Sequence, residues 1–327
     1  MVARFVVRRL LWALFLFVAA TLVTYLIFFV IPGDPALIAA GSGAAATPQF
    51  LAHVRHELHL DLPIYQQYWL FVWNMLRHGS LGYSFRNGAS VRWVVGQDAP
   101  VTASLVFGGA VCWLAISVPL GILSALRQRS LLDRAGMAFV LVGVSAPAVW
   151  IGLILAYVFG FQLGWTPIAG YCDFFPSHQA GDCSGPGPWA YHLILPWVTF
   201  MFVFAALYVR LVRSSVLETL TEDYVRTAWA KGAPGRRVLV HHVLRNSLLP
   251  VVTILGMDLG LALGAAVFTE SVFNLRGLGS ELVTAALRDD LPLVVGIVVC
   301  GTIAVIVCNL LVDIAYAWLD PRIRLEG

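Results

Sequence analysis

Asp258 stands near the middle of a run, 247–269, that holds no other charged residue. A carboxylate at that depth in an apolar segment is costly to leave unpaired. Two readings are open: Asp258 lines a translocation path and meets a substrate amine, or it pairs with a polar neighbour inside the chain. Cys172 and Cys183 share one loop, GYCDFFPSHQAGDCSGPGP, and in an oxidising compartment that spacing permits a loop-closing disulfide. His53, His56 and His59 recur every three residues in HVRHELH, close to one helix face. Three imidazoles could ligate a metal, but no carboxylate or cysteine pattern completes the site, and a solvated helix face explains them equally; no metal is expected.

Phosphate chemistry lacks its residues. The one lysine, Lys231, precedes its glycine and so cannot form the glycine-rich cradle G-x-x-x-x-G-K-[ST]. Neither a G-x-S-x-G elbow nor an H-E-x-x-H pair occurs. The expectation is a non-catalytic chain that binds no cofactor.

The polar residues gather instead in one insert, 218–246, containing EDYVRTAWAKGAPGRRVLVHHVLRN. Thr219 stands three residues before Glu222, the spacing of a capping box. Gly232 followed by Pro234 reads as a helix stop, because glycine tolerates the left-handed cap and proline does not continue the helix. Between them Leu220, Tyr224, Val225, Ala228 and Trp229 form one stripe. A helix of about three turns is marginal alone in water and needs a surface to pack on. A second amphipathic piece follows, with Val238, Leu239, His242 and Val243 on one side. The pair could lie on anionic lipid through its arginines, or it could dock a protein partner.

The elements that must position these residues are membrane helices. The chain is 59% hydrophobic and 12% charged, about half the charge of a soluble domain. Six apolar runs, about 10–31, 101–126, 135–160, 190–212, 247–270 and 291–315, are each long enough to cross a hydrocarbon core. The length of the first run and the FFVIPGDPAL that follows favour a retained helix over a cleaved signal. With the N-terminus inside, 15 of the 21 basic residues fall on the cytoplasmic side, so both termini and the insert are expected in the cytoplasm. The formal net charge of +3 is that bias and not a nucleic-acid footprint. The region 32–100 is then external. Within it Tyr65, Tyr68, Trp69 and Trp73 mark a helix that either lies at the membrane surface or packs on the outer ends of the spans.

Three further features concern the spans. Pro147, Pro196 and Pro250 interrupt helices or mark their ends; Pro147 and Pro250 are candidates, with Asp258, for the lining of a translocation path. Gly256, Gly260 and Gly264 make a small-residue stripe that would admit close helix contact, a candidate interface with a second subunit. Asp313 is expected to anchor an arginine such as Arg322 or Arg324.

The insert resembles the cytoplasmic loop of binding-protein-dependent ABC importer permeases, specifically the B-type group of oligopeptide and dipeptide permeases. Arg226, Thr227, Ala228, Gly232, His242, Leu244, Arg245 and Asn246 carry the likeness. It extends along the chain through RRLLWALFLFVAATLVTYLIFFVIPGDPA, LHLDLPIYQQY, GSLGYSF, APVTASL, SAPAVWIGLIL, TESVFNLRGLG and NLLVDIAYAWLDPRIR, in the group's order. Arg276 departs, where the group commonly has proline.

The resemblance implies an all-α, polytopic membrane protein of six transmembrane helices with the type I importer fold, in a bacterial cytoplasmic membrane. It implies half of a heterodimeric pore with a C-type permease subunit, two ATP-binding subunits that use ATP and magnesium, an extracytoplasmic binding protein and a peptide substrate. Tyr224, Val225, Ala228, Trp229 and Gly232 would then meet the ATPase, with Arg226, Lys231, Arg236 and Arg237 setting charge and Thr227 within the motif. Rival expectations are an importer of nickel, glutathione or another small solute, and a proton-coupled carrier or membrane enzyme built on Asp258.

Overall fold

The computed structural model describes residues 2–27, 55, 61–86, 88–175 and 183–319. In chain order the helices are α1 Val2–Tyr25, α2 Ile64–His78, α3 Val91–Leu126, α4 Leu131–Ser145, α5 Ala148–Gln162, α6 Pro186–Leu220, α7 Asp223–Ala230, α8 Gly235–Val272, α9 Leu278–Leu287 and α10 Leu291–Leu319. Extended pairing among the described residues is confined to two isolated bridges, Tyr83 with Ser90 and Asp173 with Ser184. Helices dominate because apolar segments without water must satisfy their backbone groups internally.

Four helices, α3, α6, α8 and α10, are long and apolar enough to cross a membrane; α4 and α5 together make a fifth candidate, bent by 108°. The single span predicted over 135–160 is therefore broken. Ala146 is extended (φ −92°, ψ 129°) ahead of Pro147, as the proline ring requires of its predecessor. The first predicted span is described only in part. Its apolar helix Leu11–Tyr25 is shorter than a full crossing, and residues 28–31 lie outside the described ones.

The chain divides into two compact units. The first comprises Met1–Pro100 and Gly277–Val307, the second Val101–Arg276 and Cys308–Gly327.

In the second unit, α3 and α6 pack at close range because glycines face large side chains. A Cβ on Gly109 would lie 2.8 Å from Phe200 Cδ1, and one on Gly121 would lie 2.7 Å from Val212 Cβ. Between these points Trp113 stacks on Phe204, with ring centroids 4.6 Å apart. Position 109 thus meets 200, 113 meets 204 and 121 meets 212: the helices run parallel in constant register. The intervening α4 and α5 therefore carry the chain back from one end of these helices to the other.

In the first unit, α2 leans on α1. Tyr25 Oη donates to Gln67 Oε1 at 3.0 Å, and Thr21 Oγ1 meets Tyr68 Oη at 2.9 Å. Tyr68 thus faces α1, whereas Tyr65, Trp69, Trp73 and Leu76 form the exposed stripe. The aromatics are divided between the two predicted roles. Further along, the buried Asp290 carboxylate accepts from Ser84 Oγ and from the Phe85 amide at 3.0 Å, pinning the turn before α3.

Candidate functional site

The insert folds as a short helix, α7, set against its own chain. Val225 is fully buried and Ala228 nearly so; both belong to the apolar core with Val216, Val238 and Val243. One turn apart, they anchor a helix too short to hold itself. At its end the Gly232 amide donates to Trp229 O at 2.9 Å and the Ala233 amide to Ala228 O at 3.2 Å, with Gly232 at φ +77°. This is the Schellman arrangement, and the left-handed residue it needs is glycine. The predicted stop is where the sequence placed it.

The start differs. Thr219 lies inside α6 and its hydroxyl donates to Ser215 O at 2.8 Å, so the predicted capping box with Glu222 does not form. Because α6 runs on to Leu220, Thr219 is spent on its own helix. The Glu222 carbonyl begins α7 by accepting from the Val225 and Arg226 amides. The second amphipathic piece is likewise no separate helix: it is the leading end of α8, π-helical over Val238–Leu244.

Burial divides the predicted contact residues. Val225 and Ala228 face inward, which corrects their assignment as contacts for a partner. Tyr224 is partly engaged, its hydroxyl accepting from Asn246 Nδ2 at 2.8 Å and fastening α7 to α8. Arg226, Thr227, Trp229, Lys231, Gly232, Arg236 and Arg237 are exposed. Among the described residues Arg226 makes one long ion pair, 3.9 Å, with the still more exposed Asp223. Trp229 is 52% exposed, its ring edge lying over Gly235. The outward surface thus carries one large indole with cations beside it, and the acids Glu222 and Asp223 at the start of the helix.

A network that sequence reasoning missed braces the same end of the unit. Asp133 is buried at the start of α4, and Arg213 of α6 grips it at 2.7 and 3.1 Å. Ser124 Oγ at the end of α3 and the Arg129 amide, 2.9 Å away, complete its partners. Only the acid in SLLDRAG hinted at it. Glu270, also missed, is fully buried and accepts from Thr102 Oγ1 at 2.6 Å.

Asp258 is half-buried on α8, within electrostatic reach of the buried Tyr208 phenol of α6, which lacks a hydrogen bond of good geometry. Pro147 precedes the break before α5; Pro250 is exposed in the turn where α8 restarts after Leu248. There a missing N–H costs nothing. The glycine stripe does not act as one surface. A Cβ on Gly256 would lie 2.9 Å from Val312 Cγ1 of α10, so Gly256 is consumed inside the chain, whereas Gly264 has open space and Gly260 is half-buried. The outward face of α8 is instead Met257, Leu261, Gly264 and Phe268.

Cys172 and Cys183 are bonded, with Cα atoms 5.0 Å apart and His192 Nδ1 3.2 Å from Cys172 Sγ. Sulfurs bonded to one another are not thiolate ligands, so this group holds no metal in its oxidised form. The histidines at 53, 56 and 59, the side chain of Asp313, and Arg322 and Arg324 lie outside the described residues.

Known proteins share this pattern across the whole chain. Residues 117–325 match the family described as binding-protein-dependent transport system inner membrane component, and residues 1–106 match the N-terminal part of such membrane components. The probable D,D-dipeptide transport system permease protein DdpB of Escherichia coli K12 is 38% identical over 336 aligned positions, covering 98% of each chain. The dipeptide transport system permease protein DppB of the same strain is 35% identical over 336, again 98% of each. A probable peptide ABC transporter permease protein, y4tP of Sinorhizobium fredii, is 36% identical over 320, covering 98% of this chain and 99% of its own. An all-α, multi-pass chain matched so fully belongs to the family of inner membrane components of binding-protein-dependent transport systems.

Proposed function

We propose that the chain is a permease subunit of an ATP-driven importer of oligopeptides or dipeptides, and that α7 is the handle through which separate ATPases move it. The observation that carries this reading is the division of α7 into a buried side, Val225 and Ala228, and an exposed side, Trp229 with Arg226 and Lys231. A helix fixed to the ends of α6 and α8 while presenting a large aromatic outward is a rigid lever with a grip. Trp and Arg are the residue types that dominate the energetics of protein interfaces.

In this reading the chain crosses the membrane six times, and both termini and α7 are cytoplasmic. It is half of a heterodimeric pore with a C-type permease subunit. Two ATP-binding subunits carry ATP and magnesium; this chain holds no cofactor and hydrolyses nothing. A binding protein delivers the peptide outside, ATP closes the two ATPases, and α7 converts closure into outward opening. The names of the relatives above support peptide cargo. Transport of nickel, glutathione or another small solute is the alternative within this architecture.

The test is reconstitution of the four membrane subunits with binding protein in liposomes. Trp229→Asp should retain ATP hydrolysis and lose ATP-driven peptide uptake. Uptake coupled to hydrolysis at the wild-type ratio in that variant would overturn the reading, and uptake without any ATPase would replace it with a carrier.

A further inference from the structure

Among the described residues, four buried side-chain polar atoms have no hydrogen-bond partner, and three of them, Trp113 Nε1, Ser117 Oγ and Tyr208 Oη, belong to neighbouring positions of the α3–α6 seam. The indole and phenol rings are 6.1 Å apart. Ser117 stands one helical turn beyond Trp113 on α3, and the parallel register of α3 and α6 sets it level with Tyr208. All three residues are 0–1% exposed. Buried polar groups in folded chains are nearly always paired, so Trp113 Nε1 and Ser117 Oγ without partners, beside a Tyr208 phenol whose one polar neighbour is Asp258, mark a place built for something else. Beside them the Asp258 carboxylate of α8 faces the Tyr208 phenol. Asp258 makes no ion pair among the described residues and is half-buried.

We propose that these residues form a substrate subsite for the terminal α-ammonium group of a peptide, with Asp258 as its charge partner. The proposal rests on the peptide-importer reading. An ammonium offers three N–H donors, and the site offers three oxygens to meet them: an Asp258 oxygen, Tyr208 Oη and Ser117 Oγ. The indole N–H of Trp113 can only donate. It matches the carbonyl oxygen next to the ammonium in a free peptide, and no such acceptor exists in a simple amine or a metal ion. Tyr208 is 1% exposed and Asp258 half-buried, so on this proposal the ammonium enters only when α8 separates from α6 during transport.

The experiment compares dialanine with N-acetyl-dialanine in liposomes carrying the complete complex, with the same binding protein throughout. Its own preference then cancels when each uptake is expressed relative to wild type. Asp258→Asn should lower the ratio of dialanine to acetylated uptake at least tenfold, and Tyr208→Phe about threefold. If acetylated uptake is too slow to measure, equilibrium binding of both peptides to the complex in nanodiscs, without binding protein, supplies the same ratio. ATP hydrolysis by each variant complex checks that it assembles. An unchanged ratio, whether both uptakes fall together or neither falls, overturns the proposal and leaves an ordinary water-filled site. A wild-type complex that imports neither peptide on ATP fails the peptide-importer reading itself, and the proposal falls with it.

Discussion

Arg213 holds the carboxylate of Asp133 by two bonds, Nε to Oδ1 at 2.7 Å and Nη2 to Oδ2 at 3.1 Å, although the residues lie 80 positions apart. The remaining acceptor capacity of Asp133 is used by Ser124 and the Arg129 amide. One carboxylate therefore joins the end of α3, the turn after it, the start of α4 and the stretch of α6 that leads into α7.

Removing one member leaves the other charge without its partner, which destabilises the fold because Asp133 is buried and Arg213 partly so. Asp133→Ala and Arg213→Ala should each lower the thermal midpoint of the detergent-solubilised chain by several degrees. The double exchange Asp133→Arg with Arg213→Asp should recover part of it. Equal midpoints for wild type and single variants would show that the pair contributes nothing.

At Gly232 a Cβ would meet nothing within 4 Å, so the constraint there is the φ of +77° alone. Gly232→Ala should cost about 1 kcal/mol of local stability and preserve coupling. Gly232→Pro cannot adopt this φ and loses the amide that donates to Trp229, so it should separate ATP hydrolysis from uptake. Both ratios are read in the reconstituted complex.

Two glycines of α8 should behave oppositely. Gly256→Val collides with Val312 within the chain and should reduce the yield of folded protein. Gly264→Leu has room within the chain; where α8 faces a second permease subunit, it should reduce recovery of that subunit in a pull-down while sparing the fold. Loss of folded chain from Gly264→Leu, or normal yield from Gly256→Val, would reverse these assignments.

The Cys172–Cys183 bond closes a loop with a sequence separation of 11. For a loop of that size the chain-entropy effect is about 2–3 kcal/mol. Dithiol reduction, or Cys172→Ser with Cys183→Ser, should lower the thermal midpoint without changing the rate of ATP hydrolysis. A midpoint insensitive to both would mean that the bond adds no stability.

How far each feature was legible in the sequence follows from the range of the force behind it. Gly232 was legible because a left-handed backbone position leaves almost one choice of residue, and the neighbouring Pro234 confirms the stop locally. The apolar runs were legible because lipid imposes their length. By contrast, the stripe containing Val225, Ala228 and Trp229 announces an amphipathic helix without saying which of its members meets its own chain. That depends on Val216, Val238 and Val243 lying beneath it. Thr219 and Glu222 matched a capping pattern, yet continuation of α6 through Leu220 decided the matter. Pro147 was visible, but a 108° break and a mild kink look alike in one dimension. The Asp133–Arg213 pair was out of reach for a plainer reason: nothing near either residue encodes a partner 80 positions away.

The most direct measurement places a photoreactive benzophenone amino acid at position 229, in place of Trp229, and at position 225, in place of Val225, within the assembled complex. Illumination should join position 229 to an ATP-hydrolysing subunit, while position 225, turned into the chain's own core, should not. Adducts from 229 to lipid alone, or to no nucleotide-binding protein, would contradict the account of α7 as the handle.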